Sequence, residues 1–464
     1  MSTQAAKTWT SIRTPILALI VSISAGAILI VFSDANFLEV SKITLANLTP
    51  VDIFFFTFSI IFLAGVVWYY SRNNFVPKFI SGSTIGTAAF RATVLVLGLS
   101  VVYISLIKAG FGEVLALARQ SAFLAYSSML EGSLGNFTEI VNAFRSNDSK
   151  LISEALSPFF ESLVSATPFI FSGLSFAVAM RCGLFSIGTE GQIGIGAIFS
   201  VVAGYAITGL PAIIHVSLAL MAGALGGALW GLIPAILKIK FGANEVINTI
   251  MMNYVAFFLI DWLLGGPIPR PDNSKPVSQF IAETAQLPRF FEYPSRLHLG
   301  FFIAIAVAIF LAWFLFRTTY GLEIRLVGKN PHAAKYAGIN LAKSYIIAFC
   351  ISGALGGLAG AVEVLGLNHY LSSVISPGFG FDGISLSILA NNHPIGVIFT
   401  SLLFGTLRNG GTRMQNIARV PTEIISIVQS LVIALMAAPA LINMIFKVKD
   451  KVGEKMTVTR GWGK

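Results

Sequence analysis

What most restricts the fold of this chain is a series of long, uninterrupted apolar runs. They recur near 15–32, 51–70, 92–108, 166–183, 190–208, 213–237, 245–263, 299–316, 344–366, 394–408 and 424–446, with a shorter one near 381–391. About 20 such residues carry a helix through a bilayer. Backbone groups in lipid must be satisfied inside the spanning structure, which leaves helices or a closed barrel. Barrel strands alternate apolar and polar residues over about 10 positions, and these runs do not alternate. The expected fold is all-α and polytopic, with about 12 transmembrane helices. Only 11% of the 464 residues are charged, where soluble domains carry about 25%.

In such a chain a net charge of +10 reports cytoplasmic loops, not nucleic-acid binding. Arg72, Lys78 and Arg91, then Lys238 and Lys240, mark two of them. Segment 317–343 carries Arg317, Arg325, Lys329, Lys335 and Lys343 against Glu323, and the tail carries Lys447, Lys449, Lys451, Lys455, Arg460 and Lys464. All fit one side, with both termini in the cytoplasm and the first run retained as a helix. Arg408, Arg413 and Arg419 then fall outside; if 381–391 re-enters instead of crossing, they fall inside and the tail falls outside. The acid-rich stretch 109–165 has apolar positions at helical spacing and is expected to form short interfacial helices. The proline-rich stretch 264–298 reads as a loop. The chain divides as 1–165 (N-terminal spans and this amphipathic segment), 166–446 (core) and 447–464 (basic tail). Gly223, Gly227 and Gly231, with Gly353, Gly357, Gly356 and Gly360, recur at the spacing that lets helix backbones approach closely.

Soluble-enzyme signatures are missing from the sequence. It holds no G-x-x-x-x-G-K-[ST], G-x-S-x-G or H-E-x-x-H. His215, His298, His332, His369 and His393 are scattered without ligand spacing, and Cys182 and Cys350 lie in apolar surroundings, so no metal, cofactor or disulfide is expected. What remains is polar residues at membrane depth, which are costly there and point to function. Glu190 and Gln192 sit among four glycines in LFSIGTEGQIGIG, a composition that predicts a broken or re-entrant helix. Asn244, Glu245, Asn248 and Asn253 lie in GANEVINTIMMNY, where Asn244 reads as a helix cap. Asp382, Asn391 and Asn392 lie in GFDGISLSILANN, and Glu363 is mid-run. Taken singly, each is explained as well by capping or inter-helix bonding; together they suggest a polar translocation path.

One polar interruption is organised. In GLEIRLVGKNPHAAKYAGIN, Asn330 is a favoured cap, Pro331 suits a first turn and Gly338 a helix end. The spacing predicts a two-turn helix over 331–337 on the cytoplasmic face. This segment resembles the cytoplasmic coupling segment of permease subunits of ATP-binding-cassette (ABC) importers, in the branch that takes up branched-chain amino acids and simple sugars. ATPFIFSGLSFAVAMRCGLFSIGTEGQ, GALWGLIPAILKIKFGANEVINTIMMNY, SGALGGLAGAVEVLG and GFGFDGISLSILANNHPIG resemble the nucleoside-type members more closely. The resemblance covers about 166–440 and implies a ten-span core, with 51–108 as an inserted pair. It implies partners: a cytoplasmic ATPase that binds ATP and Mg, a second permease subunit, and an extracytoplasmic substrate-binding lipoprotein, all at a bacterial cytoplasmic membrane. It assigns contacts with the ATPase to Gly328, Lys329, Asn330, Pro331, Ala333, Ala334 and Tyr336. The expected cargo is a nucleoside, with riboflavin or a simple sugar as the alternative. The competing class is an ion-driven transporter using Glu190, Glu363 or Asp382 as proton carriers. An intramembrane enzyme is disfavoured, since no catalytic residues pair.

Overall fold

The computed structural model describes residues 21–47, 49, 111–268, 276–291 and 294–437. The expected inserted pair 51–108, the start of the first run, the end of the last and the tail lie outside the described residues. Those described are helical apart from loops and two isolated bridges, Val277 with Ser372 and Arg289 with His298. In chain order the helices are α1 (Val21–Ser33), α2 (Ala35–Ala46), α3 (Gly112–Leu134), α4 (Phe137–Ser146), α5 (Ser149–Arg181), α6 (Thr189–Ala206), α7 (Ala212–Phe241) and α8 (Glu245–Gly265). They continue with α9 (Gly300–Arg317), α10 (Thr319–Lys329), α11 (Pro331–Tyr336), α12 (Leu341–Val362), α13 (Phe379–Leu389), α14 (Pro394–Ala418) and α15 (Thr422–Ala437). Five stretches among the described residues are long and apolar enough to cross a membrane: Lys150–Arg181, Ala212–Phe241, Glu245–Gly265, Gly300–Arg317 and Leu341–Asn368. The pair α1 and α2 makes a sixth if counted as one bent span. The chain is a polytopic helical membrane protein.

It divides into two compact units, residues 1–23, 129–413 and 425–464 in one, 24–128 and 414–424 in the other. In the smaller, the Asp34 side chain caps α2 by accepting from the Asn36 amide at 2.9 Å, and accepts from the Ser121 hydroxyl. The larger is built around α5, whose apolar stretch is 83% buried against 22% for α8. On α7 and α12, Gly223, Gly227 and Gly231 face Gly353 and Gly357 so closely that a β-carbon on Gly227 would overlap the Gly353 carbonyl oxygen. With little hydrophobic drive between helices in lipid, such backbone contact is what holds two spans together.

Two expectations are corrected. The glycines at 188–196 do not break a helix: α6 runs unbroken from Thr189. They are packing surfaces, Gly196 against Gly357 and Gly191 against Asn253. The break comes earlier, at 183–188. The stretch 109–165 is not a set of short interfacial helices. It holds the 23-residue α3, then α4, and its last part runs straight into α5, so the boundary expected at 165/166 falls inside one helix. The shorter run near 381–391 is short, as expected. α13 has 11 residues, ~16 Å of helix, preceded by a non-helical stretch over 369–378.

Candidate functional site

Two helices of the larger unit begin inside the bundle, and the site is built where they start. α5 descends to Arg181, after which 183–188 turns back so that α6 starts beside Ser175, less than two turns before the end of α5. Its first residues are fixed there by hydroxyls. The Ser175 Oγ of α5 lies 3.1 Å from Thr189 Oγ1, 3.0 Å from Ser352 Oγ of α12, and donates to Gln192 Oε1 at 3.2 Å. Asn253 of α8 completes the clamp. Its Oδ1 accepts from the Gly191 amide at 2.9 Å and its Nδ2 donates to the Ile187 carbonyl at 2.8 Å. The side chains of this network are all buried, and in a dry interior a satisfied polar network fixes geometry firmly.

α13 starts at the same place. Residues 365–371 sit against the outer loop, with the Leu287 amide donating to Leu365 O and the Ser278 amide to Leu371 O, both at 2.9 Å. The chain then runs inward to Gly378. There the Glu190 carboxylate, in the first turn of α6, accepts from the Gly378 amide at 3.2 Å and the Gly380 amide at 2.6 Å. It thus caps α13 together with Ser376, whose Oγ accepts from the Phe379 amide at 3.1 Å; the first amides of a helix have no partner within it. Charge suits this position, since a helix N-terminus carries partial positive charge. Glu190 is 3% exposed.

Beside this joint, Asp382 of α13 lies 3.9 Å from Arg408 of α14, with 42% and 35% of the two side chains exposed. The guanidinium also sits 4.8 Å from the ring of Phe379 and 5.6 Å from that of Phe169. Phe169 is ~18 Å along α5 from Arg181, so this ion pair stands well inside the bundle.

The other sequence-predicted residues fall elsewhere. Asn244 caps α8, accepting from the Val246 amide at 2.9 Å, and Glu245 pairs with Lys238 at 2.6 Å; both sit at the Arg181 end of the bundle. Asn248 is half-buried, with its Nδ2 enclosed and unbonded among the described residues. Glu363 is 7% exposed and opens a π-helical turn, Glu363–Asn368, a local irregularity frequent at functional sites. Asn391 and Asn392 form the turn from α13 to α14, both with positive φ. Their carbonyl oxygens accept from Arg181, Nη2 to Asn391 at 3.0 Å and Nε to Asn392 at 2.9 Å. The Ser175 cluster and the Arg181 fork were not anticipated. Neither has a local signal, because each is completed by a residue more than a hundred positions away, Ser352 for the cluster and Asn391 with Asn392 for the fork.

At the Arg181 end, α10 and α11 form a ledge. Thr318 caps α10, its Oγ1 accepting from the Gly321 amide at 3.1 Å. Asn330 caps α11, its Oδ1 accepting from the Ala333 amide at 3.1 Å, Pro331 opens the helix, and Gly338 closes it at φ +83°. The predicted two-turn helix is present. Its residues divide by face. Pro331, Ala333, Lys335 and Tyr336 are exposed, as are Lys329 and Asn330, and Tyr336 is 94% exposed. Ala334 is 3% exposed and Gly328 presses on the Arg181 carbonyl. These two therefore seat the ledge on the bundle and do not present it outward.

Comparison with known proteins decides what kind of molecule carries this ledge. The family described as branched-chain amino acid transport system, permease component, matches residues 159–437. The chain belongs to that permease family. The match covers α5 to α15, that is, the joint and the ledge. The permease is 40% identical over 298 residues to the guanosine ABC transporter permease protein NupP of Bacillus subtilis, covering 63% of this chain and 84% of the relative. It is 34% identical over 310 residues to the nucleoside ABC transporter permease protein NupB of Lactococcus lactis, covering 65% and 85%. It is 31% identical over 282 residues to the glucose ABC transporter permease protein TsgB13 of Haloferax volcanii, covering 59% and 74%. No solved structure is a significant match. The permease is a transport component and not itself a catalyst. Among its described residues no group of three or more His, Cys, Asp or Glu could hold a metal.

Proposed function

We propose that this chain is the membrane subunit of an ATP-driven nucleoside importer, and that α11 is where a cytoplasmic ATPase engages it. The observation that carries the reading is the ledge itself: a capped two-turn helix with Tyr336 fully outward, in a chain of the permease family. Arg181, Lys238, Lys240, Arg317, Arg325, Lys329, Lys335 and Lys343 cluster at that end of the bundle. By the positive-inside rule it is the cytoplasmic end, in a bacterial cytoplasmic membrane with both termini inside. ATP and Mg belong to the partner ATPase, which works by binding two states of the permease unequally. A second permease subunit and an extracytoplasmic lipoprotein complete the importer. The pairing is supported by NupP and NupQ of Bacillus subtilis, both guanosine ABC transporter permease proteins, 40% and 33% identical to this chain.

The translocation path is assigned to the joint where α6 and α13 begin. Its support is the half-exposed Asp382–Arg408 pair. Exposed charge deep in a bundle is expensive against lipid and therefore faces water. Asn248, Asn253, Gln192 and Glu190 border or brace that path. Purine nucleosides are the preferred cargo because NupP, NupB and NupQ are all named for guanosine or nucleosides; the glucose permease keeps a simple sugar as the second reading.

The test is reconstitution with the ATPase in proteoliposomes. Radiolabelled guanosine uptake should require ATP and ignore proton and sodium gradients. Uptake that follows an ion gradient without ATP overturns the importer, and glucose uptake without guanosine uptake selects the second reading. Tyr336→Ala should release the ATPase. Ala334→Asp is a poorer probe, because that side chain is buried beneath the helix.

A further inference from the structure

We propose that Arg181 is a positioning residue that carries displacement of the α10–α11 ledge into α13, making α13 the element that opens and closes the path. The inference rests on the coupling reading above. Three contacts support it. Backbone meets backbone where Gly328 lies against the Arg181 carbonyl and the Gly183 amide, with no room for a β-carbon. The end of α10 cannot shift without pushing the end of α5. The guanidinium then forks onto two successive carbonyls, Asn391 at 3.0 Å and Asn392 at 2.9 Å. Both acceptors have φ near +50°, +51° and +53° respectively, a backbone form in which these two residues turn the chain straight from α13 into α14. A rigid planar fork matches that pair of acceptors; a lysine ammonium cannot reproduce it. Third, the Phe316 ring of α9 collects the parts. Arg181 lies 5.4 Å from its centroid, Arg325 of α10 5.1 Å, and His393 of the turn stacks on it at 5.1 Å and 19°. Ledge, core helix and turn therefore meet at one ring.

α13 is suited to respond. It is 11 residues long and is held at its inner end through the two amides on Glu190. Residues 374–377, just before it, make no backbone–backbone hydrogen bond among the described residues. Asp382, which borders the path, rides on it.

The test uses the full complex in proteoliposomes, with Ile388→Cys on α13 as reporter and Cys350→Ser to remove the accessible native thiol. A small water-soluble maleimide is applied without nucleotide and after trapping with ATP and vanadate. The labelling rate is expected to change roughly tenfold on trapping, within the usual range for coupled sites. Adding Arg181→Gln should bring the two rates together while the ATPase still co-purifies and hydrolyses ATP. Arg181→Lys, which keeps charge but not the fork, should fall between. An unchanged nucleotide response in Arg181→Gln overturns the proposal, as does loss of the ATPase from that variant or a reporter blind to nucleotide. If Arg181→Gln is not recovered folded, an unchanged response in Arg181→Lys overturns it equally. Failure of Tyr336→Ala to release the ATPase tells against the coupling reading and is measured apart from all of these.

Discussion

Glu190 shows how one side chain is tied to two helices. It belongs to the first turn of α6 by sequence and serves α13 by bonding. Glu190→Ala leaves the Gly378 and Gly380 amides without their acceptor, at a cost of about 1–3 kcal/mol for each buried donor. Glu190→Gln keeps one acceptor oxygen and turns an amide NH₂ toward the other donor. Thermal unfolding in detergent should fall in the order wild type, Gln, Ala, with guanosine uptake following; equal unfolding temperatures for Gln and Ala would discard the cap. At this scale the sequence was legible where the signal is local. Asn330, Pro331 and Gly338 announced α11, and Asn244 announced the start of α8, because a cap acts within three residues of itself. Glu190 and Gln192 were also picked out, as costly residues in an apolar run. Their partners were not, since Gly380 and Ser175 reach them only through the packed fold.

Among the elements, α7 and α12 depend on having almost no side chains between them. Gly357 faces the Gly223 carbonyl and the Gly227 Cα. Gly357→Val should separate the pair, at about 1–3 kcal/mol for overpacking, and lower both yield and unfolding temperature. Gly209, which has open space around it, is the contrasting site, although its φ of +81° makes asparagine the substitution to use there. Comparing the two variants separates packing from the mere loss of a glycine. The four-residue spacing of these glycines was readable in the sequence as close packing. At 188–196 it was the glycine richness, read as a break, that misled, because glycine is tolerated inside membrane helices, and only the neighbours decide whether it breaks a helix or lets another approach. The shortness of α13 was legible in its apolar run; the non-helical approach over 369–378 that precedes it was not.

For the molecule as a whole, the end opposite the ledge carries a pH response. His298 stands in the loop before α9, is 2% exposed, and its Nδ1 accepts from the Gly300 amide at 3.2 Å. Burial, then the nearby Arg289, His369 and Arg296, push its pKa down to about 4. His369, whose Nε2 lies 3.0 Å from Arg289 Nη2, is lowered by burial and by the same arginine. Both are neutral in the fold and take up protons more readily when it is lost. Stability should therefore be complete above about 6.5, the ordinary histidine value, and decline as pH falls toward 4. His298 alone contributes a slope of about 1.4 kcal/mol per pH unit in that window. Unfolding temperatures at pH 7.5 and pH 5 in wild type and His298→Asn check this; the variant should lose most of the slope.

The seam between α7 and α12 also decides where this molecule is able to bend. Main chain resting on main chain offers no rotamers to change and no ridges to slide over, so the two spans behave as a single stiff plank. Rocking during a cycle is then expected away from that seam, with the non-helical approach to α13 as the stretch placed to absorb it.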